Sequence, residues 1–587
     1  MTQTAALLST EAISSPKPRR RSALGGLLVA PLGLWLLAAF ALPLGVVTLL
    51  SFQPTADLFE PLSLLPSLEQ YGLIIGDGYY RTIFFDTLLL GAGVSVISAV
   101  LGYPIALWLV RLPPRWRAAG VALILVPLLT NVVVRSLGIM LILSPAGVVS
   151  QIVTFFGLPE PRLLFNWFSV GVALIQVFLP YMVMSLYDSL QSVDRRVEEA
   201  AASLGAPPIQ RFFSVILPLS LPGLRSGLVI VFLMTSTAYV SATLLGGKNV
   251  WTSGMVVFEE AIQLLNHPKA SAMAMLMLVA SLAASALIGW VIGRLMPWTS
   301  GKRPLSLPRL ELPTALAHGA SAVIEALGPW VARLLLLLSM AMLLFPMVLV
   351  VVSSVNDSPQ ATVATFVGFT WKWYGLIFDN VRYIDAFIVS LQLAFASVIV
   401  ALALSLPAAF ALARHPLPGR EIIMAMFMLP LALPGIAIAL GMLRLLQWFM
   451  EIPPFLGLLA VHVVLIAPFT LALLRTSVAQ LDKTLEEAGA GLGAGPFDRL
   501  RYIILPQLTP GMLAAGIIGF LISFGEVTVT AFLTTARMQT LPVRIYAEAT
   551  FSLENTVNAV STLIILMTVL LLIGVNRFVR LDRVWHR

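Results

Sequence analysis

Glu526 is the ionisable residue of this chain with the strongest chemical consequence. It stands inside an apolar run, 511–533, with Thr528 and Thr530 close behind it. A charged carboxylate is costly to remove from water, and an ionisable residue inside a bilayer marks a substrate or ion pathway by default. A structural ion pair is the competing explanation. Arg135 lies in a second apolar run, 118–143. It reads as a partner for an acidic solute group, or as a cation that pairs with a loop acid or snorkels outward. Arg444, near the end of another run, reads as a snorkelling cation. Tyr239 and Asn131 read equally well as pathway lining and as helix packing.

Patterns for covalent or metal chemistry are missing from the sequence. A phosphate-cradling loop needs Gly-x4-Gly-Lys-Ser/Thr, whereas Gly-Lys occurs only at Gly247-Lys248-Asn249 and Gly301-Lys302-Arg303. The chain is therefore not expected to bind ATP itself. With no cysteine, disulfides, thiolate metal sites and cysteine nucleophiles are excluded. His267, His318, His415, His462 and His586 are scattered and read as loop or packing residues. No catalytic residue, metal site or cofactor is expected.

Two polar stretches share a spacing. Glu199-Ala200-Ala201 is followed by Gly205 and Val215-Ile216-Leu217-Pro218; Glu487-Ala488-Gly489 is followed by Gly493 and Ile503-Ile504-Leu505-Pro506. In both, the glycine lies six residues after the glutamate and the proline thirteen after the glycine. Glu and Ala favour helix and glycine breaks it, which predicts a short helix, a turn and a second helix. Gly489 replaces the second alanine and weakens the second copy by about 1 kcal/mol of intrinsic helix propensity.

These stretches need elements to hold them, and composition says what kind. Of 587 residues, 59% are hydrophobic and 11% charged, with mean hydropathy +0.94. A soluble domain carries about 25% charged residues, so the bilayer is the natural solvent. The net charge of +8 clusters between apolar runs, which suits anionic lipid headgroups rather than nucleic acid. Runs of about 20 apolar residues can cross the membrane, and twelve are present: 24–50, 87–110, 118–143, 167–187, 224–245, 270–292, 330–352, 386–411, 422–445, 456–474, 511–533 and 557–576. The first is too long for a signal peptide. Lys and Arg crowd alternate gaps, including both Glu-Ala-Ala stretches and both termini, which predicts that all of these face the cytoplasm.

The chain repeats itself. Tyr71-Gly72-Leu73-Ile74 recurs as Tyr374-Gly375-Leu376-Ile377, and Pro104 as Pro407, at an offset of 303. From the Glu-Ala-Ala stretch onward the offset is 288, as in Pro222-Gly223 to Pro510-Gly511. The difference implies a longer connection around 144–166 in the first half. With six runs per half, the repeat is parallel and builds a central pathway between the halves.

The paired stretches resemble the EAA loop of permease subunits in binding-protein-dependent ATP-binding-cassette importers. The resemblance implies an all-α membrane protein with twelve transmembrane helices in two parallel six-helix permease repeats. The first repeat is 1–293 with its EAA loop at 198–218, the cytoplasmic linker 294–329, and the second repeat 330–587 with its EAA loop at 486–506. It further implies two copies of an ABC ATPase subunit, a periplasmic or extracellular solute-binding protein, and a multi-pass location in a bacterial cytoplasmic (inner) membrane. Glu199, Ala200, Ala201, Gly205, Glu487, Ala488 and Gly493 become ATPase-coupling residues. Val126-Pro127, Thr130-Asn131, Arg135, Leu179-Pro180-Tyr181 and Tyr239-Val240-Ser241 in the first half, and Leu541-Pro542-Val543-Arg544-Ile545-Tyr546 in the second, are similar to spermidine/putrescine importer permeases. Glu526, Tyr239, Ser241, Asn131, Arg135, Thr528 and Thr530 are then pathway candidates. Polyamine permeases carry an aspartate where Ala242 stands and an aspartate pair where Gly525-Glu526 stands. The resemblance thus implies a small polar amine-bearing solute of polyamine, opine or aminoalkylphosphonate class, whereas a single carboxylate argues against a highly cationic polyamine and suits a zwitterion with one amine and one acidic group equally well. Iron(III) or thiamine importers of the same superfamily are the alternative. An ion-gradient transporter predicts paired acids and no EAA loops.

Overall fold

The computed structural model describes residues 19–54, 65–145, 147–206, 208–295, 314–358, 366–449, 452–535, 537–551 and 554–578. Among the described residues every regular element is a helix, with two isolated β-bridges in the connections. Eleven helices are long and apolar enough to cross a membrane, and one sharply bent pair makes a twelfth. The linker expected at 294–329 lies outside the described residues over 296–313. From Thr314 the chain is already in the helix that continues, unbroken, to Ser354.

Span 1 is Leu24–Ser51 and span 2 is Gly78–Arg111. Span 3 comprises Pro114–Leu129 and Val132–Leu143, span 4 is Trp167–Gln191, and span 5 comprises Leu217–Ser236 and Val240–Gly246. Span 6 is His267–Leu295 and span 7 is Leu327–Ser354. The second half repeats the series. Span 8 is Val381–Arg414, span 9 comprises Arg420–Ala432 and Gly435–Trp448, and span 10 is Pro454–Ala479. Span 11 comprises Leu505–Gly525 and Thr528–Leu533, and span 12 is Asn555–Phe578.

Four of the predicted spans are therefore not continuous. Spans 3 and 9 break at Thr130-Asn131 and Leu433-Pro434, an offset of 303; spans 5 and 11 break near Tyr239 and Val527, an offset of 288. The halves of span 9 meet at 84°. Hydropathy hides such breaks because the residues on either side stay apolar. Irregular backbone within an apolar span is tolerated where protein buries it or where it lines a cavity, so the four breaks mark the middle of the bundle as special.

The first span of each half packs on the other half. A methyl group at Gly441 in span 9 would overlap the backbone of Pro43 in span 1, and one at Gly138 in span 3 would overlap that of Pro346 in span 7. These two contacts are the same contact under the 303-residue offset. The Trp35 indole of span 1 also donates to the Ala460 carbonyl of span 10, 3.3 Å away. The halves are thus interlocked reciprocally, as in an isologous dimer whose two copies have been joined.

Span 4 and span 5 meet closely beyond the first Glu-Ala-Ala stretch. A Cβ at Gly223 would overlap Ser189, and one at Gly511 would overlap Ser477. The recurring Pro-Gly pair is explained by this approach.

Candidate functional site

The two Glu-Ala-Ala stretches fold alike. Asp194 caps Arg195–Ser203 by accepting from the Arg196 amide at 2.9 Å, and Asp482 caps Lys483–Gly491 through Thr484. Bonds from the Thr484 amide and hydroxyl hold the Asp482 carboxyl below its ordinary range. Each helix stops at a glycine in left-handed conformation, Gly205 with φ +81° and Gly493 with φ +87°. The Gly205 and Ala206 amides return to the Ala202 and Ala201 carbonyls, and those of Gly493 and Ala494 to Ala490 and Gly489, a Schellman ending. A π turn follows in both, Phe212–Ile216 and Leu500–Ile504, directly before Leu-Pro. Proline cannot donate to the preceding turn and crowds its carbonyl, so the helix widens there.

Gly489 is a packing substitution. A Cβ there would overlap Ile503 Cδ1. In the first copy Ala201 faces a shorter residue, Val215, at the matching position. Glu199, Ala200, Glu487 and Ala488 are exposed. The residues beside the glycines, Leu204 and Leu492, are 88% and 89% exposed. An apolar side chain is thus held out at the same point of both stretches.

Behind this surface, ion pairs tie each short helix to a long one. Arg111 meets Glu198 at 3.3 Å and Arg414 meets Glu486 at 3.7 Å. The arginines are 303 apart and the glutamates 288 apart, so these are one interaction repeated. Arg414 also donates to the Val478 and Leu481 carbonyls at 3.2 and 2.7 Å. In the first half Arg195 reaches the Val110 carbonyl at 3.1 Å.

The pathway candidates gather at the helix breaks. Asn131 accepts from the Val133 amide at 2.6 Å, capping the second part of span 3, and donates to the Gly525 carbonyl in the other half at 3.0 Å. Glu526 is half-buried in the break of span 11. Its Oε1 accepts from the Val529 amide at 2.9 Å; its Oε2 accepts from the Thr530 amide at 2.8 Å and the Thr530 hydroxyl at 2.6 Å. The carboxylate therefore caps the short helix that follows instead of standing in the middle of a continuous span. Its negative charge sits at a helix N-terminus, where it is favoured. Thr528 opens that helix and is half-buried.

His462 joins this network, although its sequence context marked it only as packing. The buried ring contacts the Ser523 hydroxyl at 2.8 Å and the Thr530 hydroxyl at 3.0 Å. Ser241 bonds the Ser136 hydroxyl at 2.8 Å within the first half. Arg135 is buried and donates through Nη1 to the Val177 carbonyl at 2.9 Å. Ala242 is fully buried, and its counterpart under the 288 offset is Thr530.

An aromatic layer joins the two halves at the same level of the chain. Tyr239 stacks on Phe258 with ring centres 4.4 Å apart, and Phe258 meets Phe532 of the second half edge-on at 5.0 Å. The Tyr546 hydroxyl donates to that of Tyr239 at 2.7 Å. Phe258 and Tyr546 occupy equivalent positions, 288 apart. Of these four rings only Tyr239 stands among the pathway candidates read from the sequence. The repeat offset itself was the available signal.

Comparison with known proteins accords with this architecture. Residues 98–297 and 401–581 match the model of the binding-protein-dependent transport system inner membrane component. The chain is 25% identical over 480 residues to the ferric transport system permease protein FbpB of Actinobacillus pleuropneumoniae, covering 80% of this chain and 67% of that one. It is 27% identical over 489 residues to the putative ferric transport system permease protein FbpB 1 of Haemophilus influenzae, covering 81% and 74%. The spermidine/putrescine transport system permease protein PotB of Haemophilus influenzae is 33% identical over 195 residues, covering 33% of this chain and 68% of that one. Among solved structures, a bacterial alginate ABC transporter in complex with a pentasaccharide-bound periplasmic protein aligns with TM-score 0.40 and 16% identity, covering 47% of this chain and 96% of that one. With the family model matched once in each half, the chain belongs to the binding-protein-dependent transport system inner membrane components and is a fused, two-repeat ABC importer permease.

Proposed function

We propose that this permease carries a small polar, amine-bearing solute into the cytoplasm. Glu526 is the observation behind that reading. Its Oε1 accepts from the Val529 amide, and a carboxylate oxygen has room for a second donor; the residue stands half-buried at the break that opens into the short helix carrying Phe532 of the aromatic layer. An ammonium group would meet a carboxylate and aromatic faces, both of which attract cations. Within the polyamine, opine and aminoalkylphosphonate classes, one carboxylate suits a solute with few ammonium groups, such as a zwitterion with one amine and one acidic group, better than a highly cationic polyamine. Asn131, Tyr239, Ser241, Thr528 and Thr530 would line or support the passage, and Arg135 would meet an acidic group of the solute.

The coupling stretches and both termini would face the cytoplasm, as the clustering of Lys and Arg requires. Each stretch would dock one ATPase subunit, giving two copies, with Leu204 and Leu492 as apolar anchors. The solute-binding protein would deliver to the opposite face. Closure of the ATPases would then shift the populations of inward-open and outward-open states.

One observation favours a second reading. The relatives that span most of the fused chain are named ferric permeases, whereas those named for spermidine and putrescine match about a third to a half of it. Uptake separates the two. Proteoliposomes holding the complete importer are given putrescine, 2-aminoethylphosphonate or ferric citrate with the cognate binding protein. Accumulation of an amine, lowered about tenfold by Glu526→Gln, the loss expected for one charge-assisted bond, supports the amine reading. Accumulation of iron alone replaces it with the ferric one.

A further inference from the structure

The aromatic layer is held in place by a device that occurs twice. The segment between spans 5 and 6, Ser253–Gln263, carries Phe258; the segment between spans 11 and 12, Leu541–Phe551, carries Tyr546. Two residues beyond each ring is a glutamate, Glu260 or Glu548. Glu260 accepts from the Tyr80 hydroxyl of span 2 at 2.6 Å, and Glu548 accepts from the Tyr383 hydroxyl of span 8. Tyr80 and Tyr383 are 303 apart, and Glu260 and Glu548 are 288 apart. The same segments are tied to the same spans a second time. The Ser253 amide donates to the Thr87 hydroxyl at 3.0 Å and the Leu541 amide to the Ser390 hydroxyl at 2.8 Å, again at matching offsets.

We infer that Tyr80–Glu260 and Tyr383–Glu548 are paired latches that keep the aromatic layer shut in the resting permease, each tethering one sealing segment to the long helix of its own half. The inference rests on the reading of the pathway given above, with the four rings closing it.

The chemistry of each latch suits such a role. Glu260 is 2% exposed, and its charge is matched by Lys269 at 3.4 Å. Glu548 is matched by Arg544, one turn earlier on its own helix, at 2.5 Å. The cations come from different positions in the two halves, whereas the tyrosine and glutamate coincide. What the halves share is the bond from segment to span. A phenol bound to a carboxylate is stronger than a neutral hydrogen bond, and it is directional, so it parts over a short displacement.

The span that receives the latch also reaches the coupling stretch. Spans 2 and 8 are 34 residues each, about 50 Å of helix at the usual rise. The arginine at the far end of each, Arg111 or Arg414, pairs with Glu198 or Glu486. One continuous helix per half, with Pro104 or Pro407 in its length, thus touches the coupling helix at one end and the sealing segment at the other. A tilt of that helix as the ATPases close would strain the latch directly. Glu260 and Glu548 are therefore positioning residues: they act on the pathway through Phe258 and Tyr546.

The test uses the complete importer, with ATPase subunits and binding protein, in proteoliposomes. The chain has no cysteine, so Thr243→Cys, one helical turn beyond Tyr239, gives a single reporter thiol. The reporter is exposed to a membrane-impermeant methanethiosulfonate at the face opposite the coupling stretches. Tyr80→Phe with Tyr383→Phe removes both latch hydroxyls and keeps the rings. Tyr71→Phe with Tyr374→Phe is the control. It deletes another repeated pair of tyrosine bonds, to Ser51 and Ser354 at 2.8 Å each, away from the sealing segments. Phe258→Ala with Phe532→Ala opens the layer itself.

Loss of the two latches is expected to speed labelling at least about tenfold, since each removal deletes one charge-assisted bond. ATPase activity without binding protein should rise about threefold, part of that same shift in population. The control should change neither. If the latch and control variants behave alike while Phe258→Ala with Phe532→Ala speeds labelling, the latch is overturned and the pathway stands. If opening the layer leaves labelling unchanged, the pathway reading falls and the latch with it.

Discussion

Gly205 and Gly493 are the residues whose backbone most narrowly restricts what can stand in the paired Glu-Ala-Ala stretches. At φ near +81° and +87° a β-branched side chain is strongly disfavoured. Replacing either by valine should cost about 1–3 kcal/mol locally and tilt Leu204 or Leu492 away from its exposed position. Transport should fall at least tenfold while membrane insertion is unchanged. ATPase stimulation by loaded binding protein, measured beside expression level, checks this; normal stimulation in both variants would rule out the coupling assignment. A gentler probe is Leu204→Ser with Leu492→Ser. Neither side chain packs within this chain to any extent, each being nearly nine-tenths exposed. Stability should therefore stay within about 0.5 kcal/mol, as at ordinary surface sites, while copurification of the ATPase subunit drops. Both glycines and both leucines are legible in the sequence through their identical spacing. Gly489 is not, because its reason, the reach of Ile503, is a contact between residues fourteen apart that helix propensity ignores.

Among elements, the ion pair at the end of each long helix sets how firmly a coupling helix is held. Exposed pairs contribute about 0–1 kcal/mol, and Arg111 is 58% exposed against 14% for Arg414. Arg414 also binds the two carbonyls that lead into the second short helix, whereas in the first half Arg195 of the short helix shares the task by reaching the Val110 carbonyl. Arg414→Ala should therefore lower the ratio of solute moved to ATP hydrolysed more than Arg111→Ala does. Proteoliposome uptake scored against phosphate release measures it; equal or reversed effects would show that the carbonyl contacts do not matter for coupling. The broken spans are the elements the sequence conceals most. Spans 3, 5, 9 and 11 keep apolar residues through their breaks, so a hydropathy window runs straight across Thr130-Asn131 or Glu526-Val527. Glu526 announced itself as a carboxylate out of place. Its use as a cap for Thr528–Leu533 depends on where the helix stops, which only the packed bundle determines. His462 was unreadable for the same reason: Ser523 and Thr530 lie 61 and 68 residues away.

At the scale of the whole molecule, the number of spans and their division into two parallel sets were readable from composition and the 303 and 288 offsets. The exchange of the first spans was not, because each half carries the same pattern and nothing local says which partner a span will choose. Through that exchange each half grips the other with a whole helix, besides the covalent link. Span 1 lies against spans 8 and 9, and span 7 against spans 2 and 3, so separating the halves would require withdrawing two whole helices from close-packed grooves. The glycines at the crossings fix how close those grooves are, since a methyl group at Gly138 or Gly441 would overlap a proline backbone. Overpacking a tight crossing costs about 1–3 kcal/mol for each site, and helix association in lipid depends on just such small-residue contacts. A protease site inserted between residues 300 and 310 and cut after purification should leave both fragments together in mild detergent, with ATPase stimulation preserved. The same cut in a Gly138→Leu, Gly441→Leu background should let the fragments separate on size exclusion. Separation of the unmutated fragments would mean that the linker, and not the exchanged spans, holds the two repeats together. Retention of the doubly substituted fragments would mean that the crossings at Pro43 and Pro346 are not what locks them.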